Sequence, residues 1–124
     1  MSGPADGTGL TRWLANVAAG DSATLAPATG PEDDDIEASG LDARTHAMVC
    51  LAALIVGGER GGAYDQHVAT ALDHGVTPDE IAGVLVALLP TAGTARVAEA
   101  APAIRAAIER LAGNIPAGLA IKSA

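Results

Sequence analysis

The chain has 124 residues, of which 49% are hydrophobic and 2% aromatic, and its formal net charge is −8. This length predicts one domain, and so apolar a composition excludes intrinsic disorder over most of the chain. An acidic chain without a basic stripe is unsuited to nucleic acid or to an anionic membrane, so neither is expected as a partner. No secretory leader and no apolar run of membrane-spanning length is evident, and a cytoplasmic protein is therefore expected.

Residues 1–40 predict one helix followed by a linker. Residues 8–19 carry an apolar stripe at helical spacing, which indicates either a core helix or an arm that docks on a partner. The stripe consists of Leu10, Trp13, Leu14 and Val17. Residues 20–40 contain prolines, glycines and an acidic run at residues 32–35. Because prolines and glycines break regular structure and like charges extend a chain, this segment is predicted to be flexible.

Residues 41–113 predict a helical domain. Asp42 is placed to cap a helix that ends near residue 56 and is apolar nearly all round, as expected of a helix buried on several sides. After a glycine-rich bend, the next helix spans residues 63–74 and stops at Gly75. Thr77 and Glu80 form a capping box that starts another helix.

Two prolines fall inside the remaining helical pattern. Pro90 should kink or stop the helix that begins after Thr77, and residues 94–112 predict a last helix that Pro102 kinks or splits. Residues 114–124 form a tail with little pattern. Since no segment alternates with period two, the sequence predicts an all-α bundle of five to six helices.

Three histidines are the candidates for chemistry, because imidazole has an ordinary pKa near neutrality, about 6.5. His67 and His74 lie two turns apart on one helix, too far to share a zinc ion, and no metal site is expected. His67 borders the buried face. An imidazole in this position either suits general acid–base catalysis or is a structural residue whose hydrogen bonds are made at the border of the core. The tight joint at residues 75–78 predicts that the next helix lies antiparallel, with its later turns beside His67 and a pocket near residues 90–93. Cys50 is the one cysteine, which excludes an intrachain disulfide framework. It lies in an apolar run, as is typical of an unreactive thiol.

Residues 67–81 read His-x3-Ala-Leu-x2-Gly-Val-Thr-x2-Glu-Ile, and Thr-Ala-Gly follows at residues 91–93. This pattern resembles the carboxymuconolactone decarboxylase family, which is related to alkylhydroperoxidase D, over roughly residues 41–108. The resemblance implies a helical fold of the alkylhydroperoxidase D type that assembles into trimers or hexamers, with active sites near subunit contacts.

The resemblance supplies one site residue, and the chemistry of nearby side chains suggests the others. His67 matches the family's histidine and is the expected acid–base group, with Tyr64 and His46 as helpers. The expected substrate-binding residues are Arg60, Gln66 and Thr91. Arg60 suits an acidic substrate, because a guanidinium group holds a carboxylate in a bidentate manner.

Several positions depart from the family pattern. Arg60 and Ala63 stand where the peroxidase branch has its two cysteines, so thiol peroxidase chemistry is not expected. Ala47 lies at about the position of the family's glutamate on the preceding helix, and Gln66 replaces a glutamate that often precedes the histidine. The sequence predicts a lyase or isomerase that acts without a cofactor on a small organic acid or lactone by proton transfer. The alternative is a non-catalytic oligomeric module of the same fold that binds a ligand or partner.

Overall fold

The structure is a computed structural model that describes residues 9–26 and 32–112. Over these residues it contains helices and no strand, which confirms the predicted all-α class. In chain order the helices are α1 (Leu10–Ala18), α2 (Ser22–Leu25), α3 (Glu32–Ser39), α4 (Ala43–Gly57), α5 (Gly62–Asp73), α6 (Pro78–Ala92) and α7 (Thr94–Ala112). These described helices exceed the five to six predicted, because α2 and α3 form in the segment expected to be a linker. Backbone proximity divides the chain into an N-terminal unit, Met1–His46, and a C-terminal unit, Ala47–Ala124.

The first helix, α1, follows the predicted apolar stripe but is not a core helix. None of its residues is buried, and Leu10 and Leu14 are 55% and 52% exposed. Trp13 and Val17 are half-buried, and α1 packs against α2. Asp21 caps α2 by accepting hydrogen bonds from the hydroxyl and the amide of Thr24, at 2.8 and 3.0 Å. These bonds lower the pKa of Asp21.

The acidic run at residues 32–35 is the first turn of α3, and the prediction of an extended linker there is wrong. The amide dipoles of a helix leave partial positive charge at its N-terminus, which favours carboxylates in the first turn. This attraction acts against the repulsion between like charges. Ser39 ends the helix by donating to the Ile36 carbonyl at 2.6 Å and accepting from the Leu41 amide at 3.1 Å. The prolines and glycine at residues 27–31 lie outside the described residues.

Asp42 begins α4 as predicted. Its Oδ1 accepts a hydrogen bond from the Thr45 amide at 2.7 Å, and this bond lowers the pKa of Asp42. The expectation that α4 is buried on several sides is met on one face only. The buried residues from Ala47 onward are Ala47, Leu51 and Ile55. Val49 and Val56 remain 53% and 48% exposed. No single helix in the described part of the chain is long and apolar enough to span a membrane.

The end of α4 requires glycine at one position. Gly58 has φ 72°, and its amide donates to the Ile55 carbonyl at 3.2 Å. The Glu59 amide donates to the Leu54 carbonyl at 3.1 Å, which completes a left-handed helix ending. The Arg96 side chain lies over this turn so closely that a Cβ at residue 58 would collide with Nη1. A guanidinium here also suits the partial negative charge at the C-terminus of α4.

The joint between α5 and α6 is confirmed. Gly75 adopts φ 87° after α5 ends. Thr77 Oγ1 accepts from the Glu80 amide at 3.1 Å, and Glu80 Oε1 accepts from the Thr77 amide at 2.9 Å, so the predicted capping box is complete. Pro90 does not stop α6, which continues to Ala92.

The core of the C-terminal unit lies around α7. Both α5 and α6 pack chiefly against α7, so the predicted packing of α6 along the helix of His67 is not the main contact. Ala100 and Ala107 of α7 are buried in this core, and side chains this small leave room for a neighbouring helix. Pro102 is accommodated within α7, which remains one helix. The buried apolar residues are Ala47, Leu51, Ile55, Tyr64, Val68, Ala71, Val76, Ile81, Ala100, Ile104, Ala107 and Ile108.

Candidate functional site

The three histidines lie in different surroundings. His46 is buried on α4, whereas His67 is half-buried on α5 and His74 is half-buried at the end of that helix. Among the described residues, the side chains of His67 and His74 make no hydrogen bond or ion pair. An imidazole at the border of an apolar face, reached by water and not engaged by the described protein groups, is placed to exchange a proton with a ligand.

His46 is engaged with the acidic helix α3. Its Nε2 lies 2.6 Å from Oδ2 of Asp35, and His46 is only 5% exposed. Because a carboxylate only accepts hydrogen bonds, Nε2 carries the proton of this pair. Both residues belong to the N-terminal unit, where the pair ties the start of α3 to the start of α4. The contact gives His46 a structural task that the sequence did not indicate.

Tyr64 is part of the core. Its ring is 1% exposed, and its hydroxyl donates to the Leu54 carbonyl near the end of α4 at 3.4 Å. Burial raises the pKa of Tyr64, and the nearby carboxylates of Glu59 and Glu99 raise it further, while Arg96 acts in the opposite direction. The phenol therefore stays protonated at neutral pH and acts as a hydrogen-bond donor within the fold.

The residues expected to bind substrate are on the surface. The side chain of Arg60 is 86% exposed and lies 3.8 Å from Glu99 Oε1, a loose and solvent-screened ion pair. Gln66 is exposed next to His67 on α5, and Thr91 is exposed in the last turn of α6. The structure brings Tyr64, Gln66 and His67 together on one turn of α5. The hydrogen bonds and ion pairs of the described residues do not join Arg60 or Thr91 to His67.

The register of α5 separates its two flanks. Asp65 forms an ion pair with Arg110 near the end of α7. Two residues further on, His67 projects about 160° away around the helix axis, because successive residues turn by about 100°. His67 therefore lies on the flank that faces away from this ion pair. The same flank carries Ala63, Thr70 and His74, all half-buried.

Two residues of this region were missed by sequence reasoning. Thr70 lies between His67 and His74 on their flank of α5, which its spacing could have indicated. Arg96 lies over Gly58, and only the tertiary packing of α7 on the end of α4 reveals this contact.

The positions that depart from the family pattern have ordinary structural roles. Ala47 is 3% exposed in the core, and Ala63 is half-buried at the start of α5. Cys50 is half-buried on α4. Within residues 9–26 and 32–112, no three side chains of His, Cys, Asp or Glu gather as a metal site would require.

Comparison with known proteins adds one finding. A model of the carboxymuconolactone decarboxylase family matches residues 29–106, which is more than half of the chain. The match begins before the helical domain predicted from residue 41 and therefore includes α3. No curated protein and no solved structure shows significant similarity to the chain.

Proposed function

The chain belongs to the carboxymuconolactone decarboxylase family, and we propose that it is a lyase or isomerase that acts without a cofactor on a small organic acid or lactone. His67 is the acid–base group. The observation that supports this role is the contrast between the histidines: His46 is buried against Asp35, whereas His67 is half-buried without a partner among the described residues.

The proposed reaction is a proton transfer at carbon. For an isomerisation, the neutral imidazole of His67 takes a proton from the carbon next to a carbonyl group and, as the imidazolium, returns that proton to another carbon. For a decarboxylation, the imidazolium of His67 donates its proton to the carbon that carbon dioxide has left, and solvent water then restores the proton to the imidazole. A positioned acid–base group of this kind contributes about 10²- to 10⁴-fold to a rate. Arg60 binds the substrate carboxylate, since its loose pair with Glu99 is readily exchanged for a bidentate contact. Gln66 and Thr91 bind polar groups of the substrate.

The two expected helpers, Tyr64 and His46, have supporting tasks in this proposal. Tyr64 fixes the start of α5 through its hydrogen bond to Leu54, and His46 ties α3 to α4. Neither side chain is exposed enough to meet a substrate in the single chain.

The test is turnover in heavy water. A panel of small lactones and unsaturated or keto acids is incubated with the full chain, and NMR follows deuterium incorporation and release of carbon dioxide. His67→Gln should lower the rate by at least about a hundredfold. Asp73→Glu, an exposed change on the same helix that keeps the charge, should leave it unaltered. Equal turnover by the His67→Gln variant, with unchanged circular dichroism, would refute the proposed role.

Cys50 takes no part in the proposed reaction. It lies half-buried on an apolar helix, and the sequence has no second cysteine to resolve an oxidised thiol. We expect no peroxide consumption in the presence of a dithiol reductant, and equal lactone or acid turnover by wild type and Cys50→Ser. Peroxide turnover that disappears in Cys50→Ser would contradict this.

The second proposal is that the chain forms a homo-oligomer, a trimer or hexamer first. Large apolar side chains on α4 and α6 are uncovered in the single chain: Val49, Val56, Val86 and Leu89 are 39–65% exposed. Exposed apolar side chains that lie close together mark surfaces at which proteins associate. This observation also supports the alternative of a non-catalytic oligomeric module, which the turnover assay distinguishes.

Light scattering after size exclusion tests the assembly. Val86→Glu should shift the mass towards that of the monomer, because it places a charge in the proposed interface. Ala98→Glu adds the same charge to an exposed position on α7 and should leave the mass unchanged. A wild-type chain that elutes only as a 12.2 kDa monomer at micromolar concentration would overturn the proposal.

A further inference from the structure

The first two helices of the chain carry leucine side chains that remain about half exposed. Leu10 and Leu14 lie one turn apart on α1 and are 55% and 52% exposed. Leu25, on the helix α2 that packs against α1, is 40% exposed. We call Leu10, Leu14 and Leu25 the leucine surface. Apolar side chains that are uncovered together mark a surface at which a protein associates.

The indole of Trp13 belongs to the apolar stripe of α1 and supports this interpretation. In the part of the chain that the structure describes, its Nε1 is buried and has no hydrogen-bond partner. Native folds rarely leave a buried donor without an acceptor, because its desolvation is then not compensated. The hydrogen bonding of Trp13 and the apolar packing of α1 are therefore both incomplete in the single chain.

Both helices lie outside the residues that match the family model. The match begins at residue 29, whereas α2 ends at Leu25. Membership of the family therefore names no occupant for the leucine surface. The occupant has to be identified from the chemistry of the N-terminal unit itself.

The charge of the N-terminal unit is strongly acidic. Residues 1–46 contain eight acidic residues and two arginines, whereas residues 47–124 contain seven acidic and five basic residues. On α3, the carboxylates at residues 32–34 and that of Glu37 are exposed and form no ion pair with another described residue.

These carboxylates act on any molecule that reaches the leucine surface. A compact unit of the length of residues 1–46 has a radius of gyration of about 9 Å. This radius is close to the Debye length, which is about 10 Å in 0.1 M salt. Salt therefore does not screen the acidic residues of the unit completely from a molecule docked on it.

The negative charge disfavours two of the possible occupants and favours a third. A second copy of the chain would bring its own acidic unit against the first, and an anionic lipid surface would repel it. A basic partner is attracted, and complementary charge raises both the rate and the specificity of docking. A helix face with apolar side chains one turn apart is a surface on which the apolar stripe of another helix packs.

We propose that the leucine surface binds an amphipathic helix of another protein, with apolar residues on one face and lysines or arginines on the others. The apolar face of this partner packs on the leucine surface, and its basic residues interact with the carboxylates of α3. Since α1 has nine residues and is about 14 Å long, two to three turns of the partner are in contact. The N-terminal unit is thus a docking module, independent of the reaction proposed for His67.

The probe is a synthetic amphipathic helix of about 18 residues, with leucines along one face, lysines elsewhere and a fluorescent label. In one control peptide glutamates replace the lysines, and in another the leucines are scrambled so that no apolar face remains. Each peptide is titrated with the full chain, and fluorescence anisotropy follows binding. Emission of Trp13, the one tryptophan of the chain, reports contact at α1.

We expect the lysine helix to bind at least about tenfold more tightly than either control peptide in 0.1 M salt. Its binding should shift the Trp13 emission and should weaken as the salt concentration rises.

Variants of α1 locate the apolar contact. Leu14→Gln should weaken binding of the lysine helix at least about fivefold, because it removes an apolar anchor. Ala15→Gln places the same side chain at an exposed position on another side of α1 and should bind like wild type. Circular dichroism checks that each variant is folded, and Leu10→Gln replaces Leu14→Gln if the latter is not.

A pair of substitutions on α3 tests the charge. Asp34→Asn combined with Glu37→Gln should weaken binding about threefold and reduce its salt dependence. Asp73→Asn combined with Asp79→Asn removes the same charge from exposed positions of the C-terminal unit and should weaken binding less.

Several results would overturn the inference. Absence of binding at millimolar peptide, equal binding of the lysine and glutamate peptides, or unchanged binding in Leu14→Gln would each do so. A mass in light scattering that falls in Leu14→Gln would assign the leucine surface to a second copy of the chain. Vesicles of anionic lipid that bind wild type and not Leu14→Gln would assign it to a membrane.

Discussion

The two units of the chain are stabilised by different kinds of interaction. In the N-terminal unit, α1, α2 and α3 contain no buried residue, and the ordering contacts are polar, from the caps at Asp21 and Asp42 to the pair between Asp35 and His46. The C-terminal unit instead surrounds a continuous apolar core. The unengaged histidines lie in the unit with the core. The difference teaches that polar contacts order the N-terminal unit, which has no core of its own. The C-terminal unit is stabilised by its apolar core, so its polar side chains remain available to a ligand.

The largest expected effect is the removal of a core side chain. Leu51 is fully buried on α4, so Leu51→Ala should lower the free energy of unfolding by about 3 kcal/mol, through lost burial and a residual cavity. Leu14→Ala, at a position 52% exposed on α1, should change it by less than about 0.5 kcal/mol. Urea unfolding of both variants measures the contrast. Similar losses in the two would mean that α1 is covered in solution and that the comparison between the units is wrong.

A smaller effect is expected at the end of α4. Gly58→Ala should cost about 2 kcal/mol, because φ is 72° and the new methyl group meets the Arg96 guanidinium. Gly20→Ala provides the control, since Gly20 has φ 73° with open space around it and should show the backbone cost of about 1 kcal/mol alone. Adding Arg96→Ala to Gly58→Ala should restore the part of the free energy of unfolding that Gly58→Ala loses beyond the loss in Gly20→Ala. If the two glycine variants are equally unstable, Arg96 does not restrict residue 58.

The pair of Asp35 and His46 tests the polar stabilisation of the N-terminal unit. Asp35→Ala should lower the free energy of unfolding by about 1 kcal/mol, because it removes the hydrogen bond between this carboxylate and the buried imidazole. Asp34→Ala removes a carboxylate from the same first turn of α3, where Asp34 is exposed, and should have little effect. Chemical unfolding and a double-mutant cycle with His46→Gln give the coupling energy. A coupling energy near zero would show that this contact does not stabilise the N-terminal unit.

The smallest effect is a pH dependence of the helix caps. Hydrogen bonds from Thr45 lower the pKa of Asp42 from its ordinary value of 3.8, so the folded state holds the ionised form more strongly than the unfolded chain does. The stabilisation is present above the ordinary pKa and is lost as the pH falls through the lowered value. Thermal midpoints between pH 5 and pH 2 should decrease less in Asp42→Asn, because asparagine caps the helix without titrating. An identical pH profile in this variant would show that the cap does not contribute.

Much of the fold could be predicted where a local signal determines a helix end. Asp42, Gly75 and Thr77 each act on backbone groups within a few residues, and the structure confirms all three. The sequence predicts a linker at residues 32–35, because it shows the repulsion between neighbouring carboxylates. It does not show their attraction to the amides at a helix N-terminus, which exists only once the helix forms. The packing of α5 and α6 on α7 depends on three helices at once and has no local signal.

The candidate site was predictable in its residue types and not in its contacts. The resemblance pointed to His67, and helical spacing placed His74 on the same face. The partner of His46 lies eleven residues away on another helix, so the sequence did not distinguish a buried histidine from a reactive one. Tyr64 could be assigned to an apolar face, but the same pattern suits a core residue and a catalytic phenol.

The scarcity of aromatic residues gives each unit its own optical probe. The sequence holds one tryptophan and one tyrosine, and Trp13 lies in the N-terminal unit while Tyr64 lies in the core of the C-terminal unit. Tryptophan emission therefore follows the first unit, and tyrosine second-derivative absorbance follows the second, in the unlabelled wild-type chain. Coincident transitions would mark a single cooperative system. Separate transitions would give a stability for each unit, and Gly58→Ala would then move the tyrosine signal and leave the tryptophan signal in place.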